Sequence, residues 1–81
     1  MKLAVKLFAA ARQWADADRV ELDVPSAATI ADVRRELLFR LPILAQFGPH
    51  LRFAVNADYA NDATPIYSAA DVACIPPVSG G

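Results

Sequence analysis

The 81-residue chain has a single cysteine, Cys74, and a single histidine, His50. Neither has companions at ligand spacing, so the sequence offers no metal site. One thiol cannot close an internal disulfide; the fold must rest on packing alone, which suits a reducing compartment. Glycine is almost missing as well. Gly48 is the only one before the final Gly80-Gly81 pair, which excludes both a phosphate-cradling P-loop and a dinucleotide fingerprint. No apolar run is long enough to span a bilayer, and no membrane partner is expected. Met1 leads directly into the alternating Lys2–Phe8 stretch, which lacks the apolar block and cleavage site of a secretory leader; a cytoplasmic location is the expectation. Neither sign of charge is in excess: eight Lys and Arg face nine Asp and Glu, for a net charge of -1. The basic residues are scattered, and Arg34-Arg35, their one adjacent pair, reads as a solvated helix face rather than a nucleic-acid footprint.

What is present is a hydrophobic content of 56% with 21% charged residues, the balance of one globular domain with a small core. Leu3, Val5 and Leu7 alternate with Lys2, Ala4 and Lys6, the period of a half-buried strand. Ala9–Ala15 is rich in helix formers, with Phe8, Ala11 and Trp14 at helical spacing, and Trp14 is expected in the core. Arg19–Val24 alternates again until Pro25 closes the ladder. Thr29 and Asp32 mark a helix start, and Ile30, Val33, Leu37, Leu38 and Leu41 form its apolar stripe, with Arg34, Arg35, Glu36 and Arg40 opposite. Pro42 ends that helix. Ile43–Phe47 is read as a further turn, Leu51–Val55 as a strand, Asn56–Asp58 as a tight turn into Tyr59-Ala60, and Val72–Ile75 as the last strand. Ile66 and Tyr67 are expected to pack beneath the turn at 68–71. The order strand, strand, helix, strand, short strand, strand predicts an α+β domain of the β-grasp kind, a mixed sheet packed on one main helix with its first and last strands side by side.

Side-chain chemistry is sparse. His50 follows Gly48-Pro49 as a solvated loop histidine, and Cys74, within an apolar strand, is read as a small buried hydrophobe in preference to a sulfur relay. Ser26, Ser68 and Ser79 could draw on only that one histidine for a triad. Asp16, Asp18, Glu21 and Asp23 suit a solvated hairpin edge. The terminus remains. Glycine makes up about 7% of average sequences, so a chain closes on two of them roughly once in 200 by chance. A frayed end is the plain reading of such a terminus. The functional reading is a thread without side chains, thin enough for a narrow channel, behind a stem that Pro76 and Pro77 hold extended. Its reactive group would be the terminal carboxylate, inert until a step such as adenylation makes its oxygen a leaving group.

Phe8-Ala9 with Arg12, Val55-Asn56, Asp71-Val72-Ala73 and above all Pro76-Pro-Val-Ser-Gly-Gly81 resemble the small subunit of molybdopterin synthase, the MoaD family of ubiquitin-like sulfur carriers, along the whole chain. The resemblance implies a β-grasp domain over residues 1–76 and a flexible C-terminal tail over 77–81. It implies that an E1-like adenylating enzyme uses ATP to activate the Gly81 carboxylate and that a sulfur donor converts it to thiocarboxylate. The tail, Pro76, Pro77, Val78, Ser79 and Gly80, then threads into the large synthase subunit, where sulfur passes to a cyclic pyranopterin phosphate to build the dithiolene. On that pattern the catalytic side chains belong to the large subunit, two carriers flank a dimer of large subunits as a heterotetramer, and this chain binds no cofactor itself. Phe8 and Ile75 match positions that the family sets against its partners, core packing being the other reading. The chain departs from the family at Ala69-Ala70-Asp71, where many relatives have Asp-Gly-Asp, and at Ala57, where Gly is usual after Val-Asn. Two alternatives stay open: a sulfur carrier with another acceptor, such as thiamine thiazole, tRNA or a protein, and a plain β-grasp interaction module.

Overall fold

Alternation along β1, Lys2–Leu7, places Leu3, Val5 and Leu7 in the core and Lys2, Ala4 and Lys6 in water. The computed structural model describes residues 1–77. Strand β2, Arg19–Asp23, runs antiparallel to β1 with Leu22 opposite Leu3 and Val20 opposite Val5. Strands β3, Arg52–Val55, β4, Asp58–Ala60, and β5, Val72–Ile75, complete a sheet in the order β2-β1-β5-β3-β4. Only the β1–β5 pair is parallel. The first and last strands therefore do lie side by side, and β5 is the central strand.

Helix α1, Ala9–Ala15, follows β1, and α2, Ile30–Arg40, covers one face of the sheet. The start of α2 is a capping box: the Thr29 N–H donates to Asp32 Oδ2 at 2.9 Å. That backbone hydrogen bond, with help from the Arg35 charge, holds the Asp32 carboxyl below its ordinary range against a smaller opposing effect of burial. Ile30, Val33 and Leu37 are fully buried, while Leu38 and Leu41 sit half-buried at the rim of the core. They meet the inward side chains Leu3, Val5, Leu7, Leu22, Phe53, Val72 and Cys74. A 3-10 turn at Pro42–Gln46 contributes buried Leu44, and a second at Gly48–His50 leads into β3.

Two sequence expectations need correction. Trp14 is 40% exposed and stacks on Phe47, ring centroids 4.7 Å apart and 14° from parallel. Helix α1 is only two turns long and buries Ala11 alone, so its aromatic residue lies over the rim. Tyr67 is 73% exposed; Ile66 alone goes inward, its N–H donating to Ala28 O at 2.9 Å.

The β3–β4 hairpin turns on Asn56 and Ala57, both left-handed with φ of 51° and 73°, the geometry that suits a two-residue hairpin loop. Asn56 is anchored twice: its N–H donates to Asp71 O at 2.8 Å and its Oδ1 accepts the Asp71 N–H at 2.9 Å. The Val55-Asn56 and Asp71-Val72 pieces of the sequence pattern are thus one contact, which fixes where β5 begins. Ala57 has no such compensation, and an L-residue with a Cβ is strained there. Ala57→Gly is expected to raise unfolding stability by about 1 kcal/mol, the relief of that conformation less the entropy of a freer unfolded chain. A urea titration with unchanged slope and a higher midpoint would show it; a lower midpoint would refute it.

Candidate functional site

The side of the sheet facing away from α2 is set by register. Cys74 pairs with Phe53 and both are buried, so their neighbours Ile75 and Arg52, also paired, point to the outer side, as do Ala73 and Ala54. The parallel ladder ends with Leu7 level with Cys74, and the Phe8 N–H continues it by donating to Cys74 O at 3.2 Å. Phe8 therefore comes level with Ile75. The chain then swings away at Ala9, whose φ is 51°, leaving Phe8 47% exposed. Phe8 and Ile75 are brought together at the end of the central strands, and neither belongs to the buried core.

Beyond Ile75, Pro76 is buried and Pro77 exposed. The two prolines form one wall of a hollow of about 590 Å³ whose other walls include Pro49, His50, Arg52 and Tyr59. The Arg52 guanidinium lies over the Tyr59 ring, 5.7 Å from its centre. The other tail residues assigned from the sequence, Val78, Ser79, Gly80 and Gly81, lie outside the described residues.

Arg34 organises the far side of this hollow, and the sequence reading missed it. Far from lying on a solvated face, its side chain is 20% exposed. Nη1 donates to Leu51 O at 2.7 Å and to Gly48 O at 3.2 Å, bracketing Pro49 and His50, and Nη2 meets Asp62 Oδ1 at 2.8 Å. The guanidinium also sits 5.1 Å from the centre of the Phe53 ring. Arg35 does behave as expected, exposed and paired with Asp32 one turn back. Adjacent arginines 100° apart on a helix can have opposite fates, and only the position of the Gly48–Leu51 turn decides between them.

Cys74 is fully buried. Burial pushes its thiol up to about 12, with the Arg34 charge pulling weakly the other way. At neutral pH it is a packed thiol without nucleophilic character. Because the native state holds this proton more tightly than the unfolded chain, Cys74 stabilises the fold fully below pH 9 and that contribution is lost as pH rises toward 12. Against Cys74→Ala, the natural chain is expected to lose stability more steeply over that window, with no thiol labelling of the native protein at pH 8. Rapid labelling would contradict the assignment. Among the described residues no three His, Cys, Asp or Glu side chains converge to hold a metal ion. No helix among them is long and apolar enough to cross a membrane.

A five-stranded mixed sheet on one main helix, with the chain end leaving the central strand beside an apolar patch, defines a ubiquitin-like β-grasp protein of the sulfur-carrier type. The sequence model of the ThiS family matches residues 5–81, and the chain belongs to that family. It is 31% identical over 81 residues to the molybdopterin synthase sulfur carrier subunit of Arabidopsis thaliana, covering 100% of this chain and 84% of the relative. Among solved structures it is similar to small archaeal modifier protein 1 of Haloferax volcanii, with a TM-score of 0.86, 28% identity and full coverage of both chains. The complex of subunits 1 and 2 of molybdopterin-converting factor from Helicobacter pylori also contains the fold, with a TM-score of 0.67, 21% identity and full coverage of both chains.

Proposed function

We propose that this chain is the sulfur carrier subunit of a molybdopterin synthase. The observation that carries the reading is the match over the full length to a subunit of that name, in a family whose sequence model extends through residue 81. The chemistry is that of the Gly81 carboxylate. One of its oxygens attacks the α-phosphate of ATP in the adenylating enzyme and pyrophosphate leaves; hydrosulfide released by a sulfur donor then attacks the acyl carbon, AMP leaves, and loss of the sulfhydryl proton gives the thiocarboxylate. With Pro76, Pro77, Val78, Ser79 and Gly80 threaded into the large subunit, that sulfur is delivered to a cyclic pyranopterin phosphate. The exposed Phe8 and half-buried Ile75 are the apolar contacts on which both partners seat the carrier. The inertness of Cys74 supports a division of labour in which the carrier brings one reactive terminus and its partners bring the catalytic side chains.

A second reading, conjugation of the same activated terminus to protein amines, is favoured by the likeness to a small archaeal modifier protein. Intact mass spectrometry decides whether the chain is a carrier at all. Incubated with ATP, the adenylating enzyme and a sulfur donor, the chain gains the mass of one oxygen exchanged for sulfur. An unchanged mass would return it to a plain interaction module. Formation of dithiolene with the large subunit, set against adducts to lysine, separates the two carrier readings.

A further inference from the structure

The hollow beside the stem carries a charge preference. Among the described residues its lining contains one full cation, Arg52, and two further hydrogen-bonding side chains, His50 and Tyr59, but no carboxylate. Of the eight basic residues, Lys6, Arg12, Arg34 and Arg35 pair with Asp71, Asp18, Asp62 and Asp32; Arg52, like Lys2, Arg19 and Arg40, has no carboxylate partner among the described residues, and of these four it is the one that lines the hollow. Its backbone sits in the Arg52–Ile75 rung, and its guanidinium lies over Tyr59. A planar cation over an aromatic face is suited to receive a carboxylate in a two-pronged hydrogen bond. Pro49, Ile75 and Pro77 supply apolar walls that would exclude water from that bond and strengthen it.

We infer that this hollow is a specificity pocket for an acidic side chain flanked by apolar residues, presented by the protein that receives the tail. The inference rests on the carrier reading, because only a protein that takes up the tail must close over Pro76 and Pro77. It adds what that reading leaves open, the chemistry by which this carrier selects its own partner. Arg52 acts as a recognition residue beside the stem, brought there by its rung partner Ile75, and Tyr59 positions it.

The test uses the intact chain with the adenylating enzyme and the large synthase subunit of the same organism, each purified, and reads affinity by calorimetry at low and high salt. Arg52→Gln is expected to weaken binding to at least one of them about tenfold or more, and Arg52→Glu further, with much of the salt dependence lost. Arg52 is exposed, so both variants keep the native circular dichroism spectrum and unfolding midpoint. Reversal of one Asp or Glu on the affected partner to Arg restores binding of Arg52→Glu. If both variants bind both partners as the natural chain does, the pocket assignment falls. If Arg52→Glu instead abolishes a concentration-dependent dimer seen by sedimentation, the occupant is a second copy and the assignment to a tail-receiving partner falls. Loss of the carrier reading is a separate result, an unchanged intact mass in the sulfur-loading reaction.

Discussion

Deletion of Gly81 is expected to abolish sulfur delivery and to leave the unfolding transition where it is. The described core closes before the tail: the inward row of β5 ends at Cys74, Pro76 is the last buried residue described, and every ladder pair described lies within residues 2–75. A truncated chain still ends in a carboxylate, that of Gly80, so the loss is one of reach. Shortening by one residue retracts the reacting carbon by about 3.5 Å along an extended thread. Misplacement of a reacting group by as little as ~1 Å can cost about 100-fold, so sulfur loading and dithiolene formation should each fall by at least about that factor. Both are measured on the same variant, the first by intact mass and the second by product formation with the large subunit. Retained dithiolene synthesis would overturn the role given to Gly81; a shifted unfolding midpoint would instead show that the tail packs on the domain.

The strands and the main helix were legible because each carries a period. Leu3, Val5 and Leu7 at every second position, and Ile30, Val33 and Leu37 at three and four, point one way only, and Pro25, Pro42 and Pro76 punctuate them. The end of β5 was legible for the opposite reason, since Pro76 and Pro77 cannot continue a ladder. Where residues owe their places to segments distant in sequence, the reading failed. Trp14 is drawn out of the core by Phe47, Tyr67 goes to solvent because Ile66 alone answers Ala28, and the hollow is assembled from three segments that the pairing of β3 with both β4 and β5 brings together. No local pattern announces a side chain that bridges between elements. Arg34 is the sharpest case.

Arg34→Ala is expected to cost about 3 kcal/mol of unfolding stability, the largest effect of any charged residue in the chain. Removal of a partly buried charge that serves several acceptors leaves them unsatisfied at about 1–3 kcal/mol each. The Leu51 carbonyl is the acceptor that depends on this charge: alternation along β3 turns it toward the β4 side, beyond the last rung Phe53–Ala60, where it draws its donor from Arg34. Gly48, left-handed at φ 38°, holds the turn whose carbonyl also accepts the Leu51 N–H at 3.2 Å, so the bond it takes from Arg34 is a second one and its loss costs less. The Asp62 contact contributes little, because that carboxylate is 62% exposed and a surface pair is worth about 0–1 kcal/mol. Asp62→Asn should therefore cost a small fraction of what Arg34→Ala costs. Arg34→Lys should recover only part, since an ammonium cannot reproduce the planar fork that reaches both carbonyls while lying on Phe53. Denaturant titrations of the three variants separate these terms. An Arg34→Ala loss no greater than that of Asp62→Asn would show that the carbonyls find water, and that the Gly48–Leu51 turn, with Pro49 and His50 in it, needs no brace. A large loss would make α2 the element that holds that wall of the hollow against the Pro76-Pro77 stem, which ties the domain's stability to the place from which its tail departs.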